Sequence, residues 1–241
     1  VGPPFYHKLI IPFLIPFLLI MAIGPKLKWI KSNLEDKIYL ITLLIVSILL
    51  SILIVKNFST DFLINTILIS SAFYLFFITL RDFFYKGFKN LAQNTAHFGF
   101  SLLILSILFN SLFSSEIITN LKVGQTFENT KAKIVFESLS QKEGENYKSI
   151  IGNFIVQDSN GKIENLSPEL RIYNQPNITT SEADIKTTLL SDKFIVINLV
   201  QNQEFFNVRY QVKPFMLWIW ISVILISFGG LISFVKKEYE K

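Results

Sequence analysis

The chain has 241 residues, of which 51% are hydrophobic, with a mean hydropathy of +0.45 and a formal net charge of +5. This apolar content exceeds that of a water-soluble domain of the same length, so we expect lipid to surround much of the chain. Cysteine is absent, which excludes disulfides, thiol exchange and thiolate metal sites within the chain.

The positive charge is concentrated in the apolar part of the chain. Residues 114–212 contain 10 Lys or Arg and 12 Asp or Glu, whereas the rest contains 13 basic and 6 acidic residues. Basic residues beside apolar runs act as signals of membrane topology. The polar region has no basic stripe interleaved with aromatics, so we expect no nucleic-acid binding. It also has no His and no Gly-rich phosphate loop, which excludes Ser-His-Asp hydrolases and P-loop kinases.

Five apolar runs are long enough to cross about 30 Å of hydrocarbon. The first carries Pro12 and Pro16, which predict a bend; the other four contain no Asp, Glu, Lys or Arg. A transporter would show intramembrane charges or paired broken helices, and only these prolines point that way. The runs are 5–24, 38–55, 62–80, 96–113 and 215–235.

The basic residues of the short loops predict the orientation of these spans. Ten of them follow the first, third and fifth runs, and only Lys56 lies between the second and third. The positive-inside rule makes the three basic segments cytoplasmic and places Val1, Lys56 and residues 114–212 on the opposite side. The ten are Lys26, Lys28, Lys31, Lys37, Arg81, Lys86, Lys89, Lys236, Lys237 and Lys241.

Residues 114–212 are typical of a β-rich domain, either a sandwich or a small barrel. Asp158-Ser159-Asn160-Gly161 is a hairpin-turn signal. Thr179 followed three residues later by Glu182 is a capping box, which predicts a helix over 181–190. The strand-like segments are 133–139, 149–157, 193–200 and 205–212.

These elements predict an integral membrane helical protein with five transmembrane helices and one extracytoplasmic β-rich domain. The expected parts are a four-helix membrane region (1–113), the β-rich domain (114–212), and a last helix with a short tail (213–241). The chain begins Val-Gly-Pro-Pro without an initiator Met, and we expect this to be a cut inside a longer protein rather than a signal peptide.

His97 is the only His, Asp, Glu, Lys or Arg inside the last four apolar runs. A neutral imidazole in apolar surroundings is a good axial ligand for haem iron, and the small residues Ala96, Gly99 and Ser101 leave room beside the helix for a macrocycle. A His in this setting also serves as a hydrogen-bond donor to a neighbouring helix. The residue type alone leaves both roles open.

His7 is the other His, and topology argues against pairing it with His97. His7 lies at the outer end of the first span and His97 near the inner end of the fourth, so most of the ~30 Å core separates them. Two ligands of one iron both lie within about 2 Å of it. Elsewhere, Trp218 and Trp220 are expected interfacial anchors.

Six phrases, in order, resemble the C-terminal part of the CcmF family, the membrane haem lyase component of bacterial cytochrome c maturation. Each phrase is weak alone, but their order and spacing cover essentially the whole chain. They are Val-Gly-Pro-Pro-Phe-Tyr at 1–6, Ile-Gly-Pro-Lys-Leu-Lys-Trp at 23–29, Ala-His-Phe-Gly at 96–99, Leu-Ser-Pro-Glu-Leu-Arg-Ile-Tyr at 166–173, Thr-Thr-Ser-Glu-Ala-Asp-Ile at 179–185, and Lys-Pro-Phe-Met-Leu-Trp-Ile-Trp at 213–220.

The resemblance implies that His97 is one axial iron ligand of a transmembrane haem b, with the second ligand outside this chain. In the family this haem is thought to reduce the substrate haem, which is joined to apocytochrome c. The implied partners are the haem chaperone CcmE, the CcmH subunit, apocytochrome c and the lipid bilayer. The implied location is the bacterial inner membrane, with residues 114–212 in the periplasm.

Two alternatives accompany this interpretation. One is a membrane-anchored scaffold that docks cytochrome assembly partners without a redox haem of its own. The other is the related assembly factor for nitrite-reductase cytochromes, which would share nearly all six phrases. The family's Trp-rich haem-binding loop is not among the residues of this sequence, so the resemblance implies that this fragment alone is not an active lyase.

Overall fold

The structure, a computed structural model, describes residues 3–26, 34–58, 61–85, 90–159, 161–200 and 204–239. The chain divides into two compact units. One is Ser114–Leu217, and the other combines Val1–Phe113 with Trp218–Lys241. The first is built of strands and the second of helices.

Five helices of the described part of the chain are long and apolar enough to cross a membrane. Each forms because an apolar run of this length satisfies all its backbone hydrogen bonds internally, which lipid requires. The helix α1 continues through Pro12 and Pro16 and ends in a 3-10 turn, Gly24–Lys26. The helices are α1 (Pro3–Ile23), α2 (Leu34–Phe58), α3 (Phe62–Tyr85), α4 (Leu91–Phe113) and α5 (Met216–Tyr239).

The helix α3 is at the centre of the helical unit. In its span 56% of the residues are buried, against 11% in each of the spans of α1 and α5, and α3 packs on α1, α2 and α4. The hydroxyl oxygens of Thr79 on α3 and Ser101 on α4 lie 2.7 Å apart in a buried hydrogen bond. Such interhelical bonds contribute modestly, about 0.6 kcal/mol on average. This bond fixes the side of α4 that faces α3.

In the described part of the other unit, ten strands form two antiparallel sheets. One sheet has the order β1-β10-β9-β8, and the other has the order β2-β3-β4-β6-β7 with β5 also pairing β4. The first and last strands are neighbours, and Ser115 is opposite Val212. The strands are β1 (Ser115–Leu121), β2 (Thr126–Glu128), β3 (Ala132–Glu143), β4 (Tyr147–Asp158), β5 (Ile163–Leu166), β6 (Glu169–Tyr173), β7 (Thr179–Glu182), β8 (Asp184–Thr187), β9 (Ser191–Leu199) and β10 (Phe206–Pro214).

Aromatic rings from both sheets fill the core of this unit. The rings of Phe136 and Phe154 stack with centroids 4.3 Å apart, and Phe206 from the other sheet meets Phe136 edge-on at 5.5 Å. Along β9, Ile195 and Ile197 are fully buried, as the alternation of a half-buried strand requires. Two facing sheets around one apolar layer make a β-sandwich. The predicted fold class, five long apolar helices with one β-sandwich domain, is confirmed.

The predicted hairpin turn after β4 is confirmed. The Gly161 amide donates to the Asp158 carbonyl at 2.9 Å, and Gly161 has φ +79°, a conformation that glycine adopts without steric cost. The Lys162 amide donates to the Asp158 carboxylate at 3.0 Å. These bonds bring β5 back along β4; Asn160 itself lies outside the described residues.

The predicted helix over 181–190 is wrong, because this segment forms strands. Ser181 in β7 pairs with Leu170, and Ile185 in β8 pairs with Phe194. A capping box stabilises a helix only locally, by about 1 kcal/mol. Here neighbouring strands supply ladder partners to the same backbone groups. In the strand the Thr180 hydroxyl donates to Glu182 at 3.1 Å.

Candidate functional site

His97 lies in the second turn of α4. The helix starts after Asn90, which has φ +69°, a left-handed conformation that Asn tolerates. The Asn94 amide donates to the Asn90 carbonyl at 2.9 Å and continues the first turn. The side chain of His97 is partly buried and contributes to the walls of two cavities, one apolar and one polar.

The larger cavity is a groove of about 910 Å³ between α4 and α5. Its size lies within the range of cofactor and small-molecule sites, about 300–1,000 Å³. Small residues line the groove on both helices: Ala92 and Ala96 on α4, and Gly229 and Gly230 on α5. A flat apolar group beside His97 fits such a groove better than a polar one.

The groove beside α4 lies at Ala92 and Ala96, about one helical turn before the expected positions Gly99 and Ser101. A Cβ atom at Gly99 would lie 2.9 Å from Leu225 Cβ and 3.0 Å from the Ile226 amide nitrogen, so α5 fills that space. Ser101 faces α3, because its hydroxyl group is hydrogen-bonded to that of Thr79. The expectation of room at Gly99 and Ser101 is therefore wrong, whereas Ala96 does line the groove.

Gly229 sets how closely α5 approaches α4. A Cβ atom there would lie 2.7 Å from the Ala96 amide nitrogen and 2.8 Å from the Ala92 carbonyl oxygen. Those are backbone atoms, which cannot rotate away. A Cβ atom at Gly230 would meet nothing within 4 Å, so Gly230 contributes to the opening of the groove rather than to the helix contact.

A polar pocket of about 190 Å³ lies on the other side of His97. The Lys26 ammonium pairs with the Asp82 carboxylate there. Asn94 is 7% exposed, and its Nδ2 has no hydrogen-bond partner among the described residues. Pro25, Thr79, Asp82, Asn90, Gln93, Asn94 and His97 line the pocket.

The imidazole of His97 makes no hydrogen bond within the described part of the chain. Among these residues the role of a donor to a neighbouring helix is therefore not seen. An apolar groove of this size with a partly buried imidazole in its wall fits a flat apolar cofactor with a metal at its centre. The residues present thus fit haem.

His7 on α1 and His97 on α4 lie near opposite ends of the helical unit. Pro25, which lines the polar pocket with His97, follows His7 by 18 residues. At 1.5 Å per helical residue this is a distance of about 27 Å. The positions support the prediction that His7 and His97 do not share one iron; the His7 side chain lies outside what the structure describes.

Sequence reasoning missed the polar pocket because it started the fourth span at Ala96, whereas α4 starts at Leu91. Asn94 and Gln93 precede His97 by three and four positions, the spacing that places residues on one helix face. That spacing was the available signal. The pairing of Lys26 with Asp82 joins residues 56 positions apart and leaves no local pattern.

Comparison with known proteins relates the whole chain to cytochrome c-type biogenesis proteins. Residues 112–214 match the family model described as the CcmF C-terminal beta-sandwich. All of the chain aligns with CcmF of Pseudomonas fluorescens (25% identity, 38% of that protein), CcmF of Escherichia coli K12 (24%, 39%) and NrfE of Haemophilus influenzae (25%, 39%).

A solved structure named cytochrome c heme lyase CcmF has the same fold. It superposes with a TM-score of 0.71 at 17% identity, over 95% of this chain and 40% of that chain. The chain thus spans about two fifths of the length of the relatives that it matches.

Proposed function

We propose that this chain works within a haem lyase of cytochrome c maturation, because residues 112–214 match the model of the CcmF C-terminal beta-sandwich and the whole chain aligns with CcmF proteins. The lyase attaches haem covalently to apocytochrome c at the periplasmic face of the inner membrane. In this proposal His97 is one axial ligand of a transmembrane haem b, and the second ligand comes from outside this chain.

The position of the His97 imidazole carries this proposal. It lies between the apolar groove and the polar pocket and makes no hydrogen bond among the described residues. A neutral imidazole with a free nitrogen donates its lone pair to iron. A buried His that served only helix packing would instead satisfy its ring with a neighbouring polar group.

The surrounding residues bind and tune the cofactor. When bound, haem b would supply electrons that reduce the substrate haem. The apolar walls formed by Ala92, Ala96 and Gly230 exclude water, which lowers the local dielectric and shifts the reduction potential.

We also propose a location and partners for this function. The basic loops favour a bacterial inner membrane orientation in which residues 114–212 face the periplasm, where apocytochromes receive haem. The haem chaperone CcmE, the CcmH subunit and apocytochrome c are the proposed partners, and the lipid bilayer surrounds the spans. Five helices able to cross a membrane support the multi-pass part of this assignment.

A reduced-minus-oxidised absorption spectrum of the full-length parent protein tests the assignment of His97. We expect His97→Ala to remove the haem b band, because the iron loses an axial ligand. The chain offers a matched control in its only other histidine: His7→Ala should leave the band unchanged. An unchanged band in His97→Ala would favour the scaffold, which docks partners without a redox haem.

The nitrite-reductase branch is a second candidate, because the chain is as similar to a NrfE protein as to a CcmF protein, at 25% identity each. Complementation separates the two branches. The parent gene should restore general cytochromes c in a strain without its CcmF. Restoration only of the nitrite-reductase cytochrome, in a strain without NrfE, would assign the protein to that branch.

A further inference from the structure

The turn between β8 and β9 carries two exposed leucines, which we call the leucine tip. Leu189 is 62% exposed and Leu190 is 64% exposed. Short turns between antiparallel strands favour Asn, Asp or Gly, because these residues adopt turn conformations readily. A single exposed leucine is ordinary on a protein surface, but two adjacent ones at the end of a hairpin form an apolar patch. The leucine tip therefore has the composition of a surface that contacts apolar material.

The conformation of the turn does not depend on the leucine side chains. The Thr188 amide donates to the Ser191 carbonyl at 3.0 Å, and the Ser191 amide donates to the Thr188 hydroxyl at 3.1 Å. That hydroxyl donates in turn to the Ser191 carbonyl at 2.7 Å. These three bonds close the turn. Because both leucine side chains are mostly exposed, they also contribute little to the apolar layer between the two sheets.

The leucine tip is fixed beside the start of the last helix. In the register of the sheet, Pro214 at the end of β10 is opposite Ser191. The Phe215 amide donates to the Leu190 carbonyl at 2.8 Å, and both residues belong to the same compact unit. The apolar span of α5 begins at the next residue and covers Met216–Val235. The tip thus contacts the chain at the point where its hydrocarbon-crossing segment begins.

The length and composition of α5 indicate how deep this point lies. The span has 20 residues, and at 1.5 Å per residue it covers the hydrocarbon core of about 30 Å with no residues to spare. Trp218 and Trp220 follow Phe215 by three and five residues, and Trp side chains favour the membrane–water interface. Phe215, and the leucine tip bonded to it, therefore belong at the interface.

We propose that the leucine tip inserts into the interface of the lipid bilayer, beside the point where α5 enters the hydrocarbon. Lipid is the partner because the bond between Leu190 and Phe215 makes the tip continuous with the apolar surface of α5. The leucine side chains leave water for the headgroup and acyl boundary, as apolar residues of interfacial segments do. Insertion involves neither haem nor His97, and it attaches the sandwich to the membrane in addition to the helices that precede and follow it.

Fluorescent labels placed at the leucine tip test the insertion. The chain has no Cys, so single Leu189→Cys and Leu190→Cys variants of the whole chain can be labelled with nitrobenzoxadiazole and reconstituted in lipid nanodiscs. We expect the emission of both labels to be blue-shifted. Both should be quenched by lipids that carry a nitroxide high on the acyl chain and protected from iodide in the water.

Leu199→Cys is the matched control, because it changes the same residue type at the other end of the same strand. Leu199 is 50% exposed and follows Leu190 by nine residues along β9, which is about 30 Å at 3.4 Å per residue. Its label should be quenched by iodide and not by the nitroxide lipid. If iodide quenches the tip labels as strongly as this control, the tip lies in water and the proposal is wrong.

Two further results would also overturn lipid contact. Protection of the tip labels from both quenchers would show that protein covers the leucine tip. The other test adds Leu189→Asp to the labelled Leu190→Cys variant, because a charge at the tip opposes insertion. Quenching by the nitroxide lipid should then be lost. Unchanged quenching would show that the leucine side chains do not cause the contact.

Discussion

Lys193 occupies a buried position of β9, where the alternation of the strand predicts an apolar residue. Its ammonium group instead pairs with the carboxylates of Asp158 and Glu164. A buried ion pair gains little over an apolar replacement, but removal of one partner leaves an uncompensated charge. Glu164 joins Lys193 to Lys162. Although burial opposes its ionisation, both lysines lower the pKa of Glu164 below its usual value.

Glu164→Gln should therefore destabilise the protein at neutral pH, by about 1–3 kcal/mol. Because the folded-state pKa of Glu164 is depressed, its contribution is present above the unfolded pKa of about 4.5 and is lost as the pH falls through the folded pKa. The melting temperatures of variant and wild type should differ most above pH 5 and converge in acid.

Glu143→Gln is the control for this measurement. The Glu143 side chain is 82% exposed and lies 3.7 Å from the Lys148 ammonium, a surface pair of little expected effect. A pH-independent difference between Glu164→Gln and the wild type would contradict the proposed role of the Glu164 charge.

Among the elements, the contact between α4 and α5 depends on one of two adjacent glycines. Gly229→Ala should destabilise the helical unit by about 1–3 kcal/mol, because the new Cβ atom would meet the backbone of Ala92 and Ala96. Gly230→Ala is the matched control, because it makes the same substitution at the next position, where a new Cβ atom would meet nothing within 4 Å. Thermal unfolding in detergent should give a melting temperature below that of the wild type for Gly229→Ala and an unchanged one for Gly230→Ala. Equal melting temperatures would show that α5 does not approach α4 this closely.

The elements also show why sequence patterns predicted some features and missed others. The helices followed from apolar runs, because lipid leaves a chain of that composition no alternative to a helix. The strands at Ser181 and Ile185 were missed, because their partners, Leu170 and Phe194, are supplied by tertiary structure. A local capping pattern contains no information about such partners.

The buried ionisable residues divide in the same way. His97 was recognisable because a lone His in an apolar run stands out. The ion network of Lys193 was not, since Asp158 and Glu164 belong to the hairpin of β4 and β5, and Lys193 of β9 meets them only when the two sheets face each other.

For the whole molecule, the central prediction is its orientation in the membrane. Tyr85 and Glu143 are separated along the chain by one proposed span, α4, so they should face opposite sides. Both positions are exposed, at 84% of the residue for Tyr85 and 82% of the side chain for Glu143. Because the chain has no Cys, single Tyr85→Cys and Glu143→Cys variants can be labelled against an unreactive background.

An impermeant maleimide added to spheroplasts should label Glu143→Cys and not Tyr85→Cys. After the membrane is permeabilised, both should react, which controls for accessibility. Labelling of Tyr85→Cys from outside would reverse the proposed orientation and place the sandwich in the cytoplasm.

The pairing of the sandwich's first and last strands has a consequence for how such a protein could arise. Ser115 and Val212 face each other across β1 and β10, with Cα atoms about 5 Å apart. The chain therefore leaves the sandwich beside the point where it entered. Insertion of a module with adjacent ends demands little rearrangement of its host. An ancestral helical bundle with only a tight turn at this position could have acquired the whole sandwich in one genetic event, and could lose it as simply.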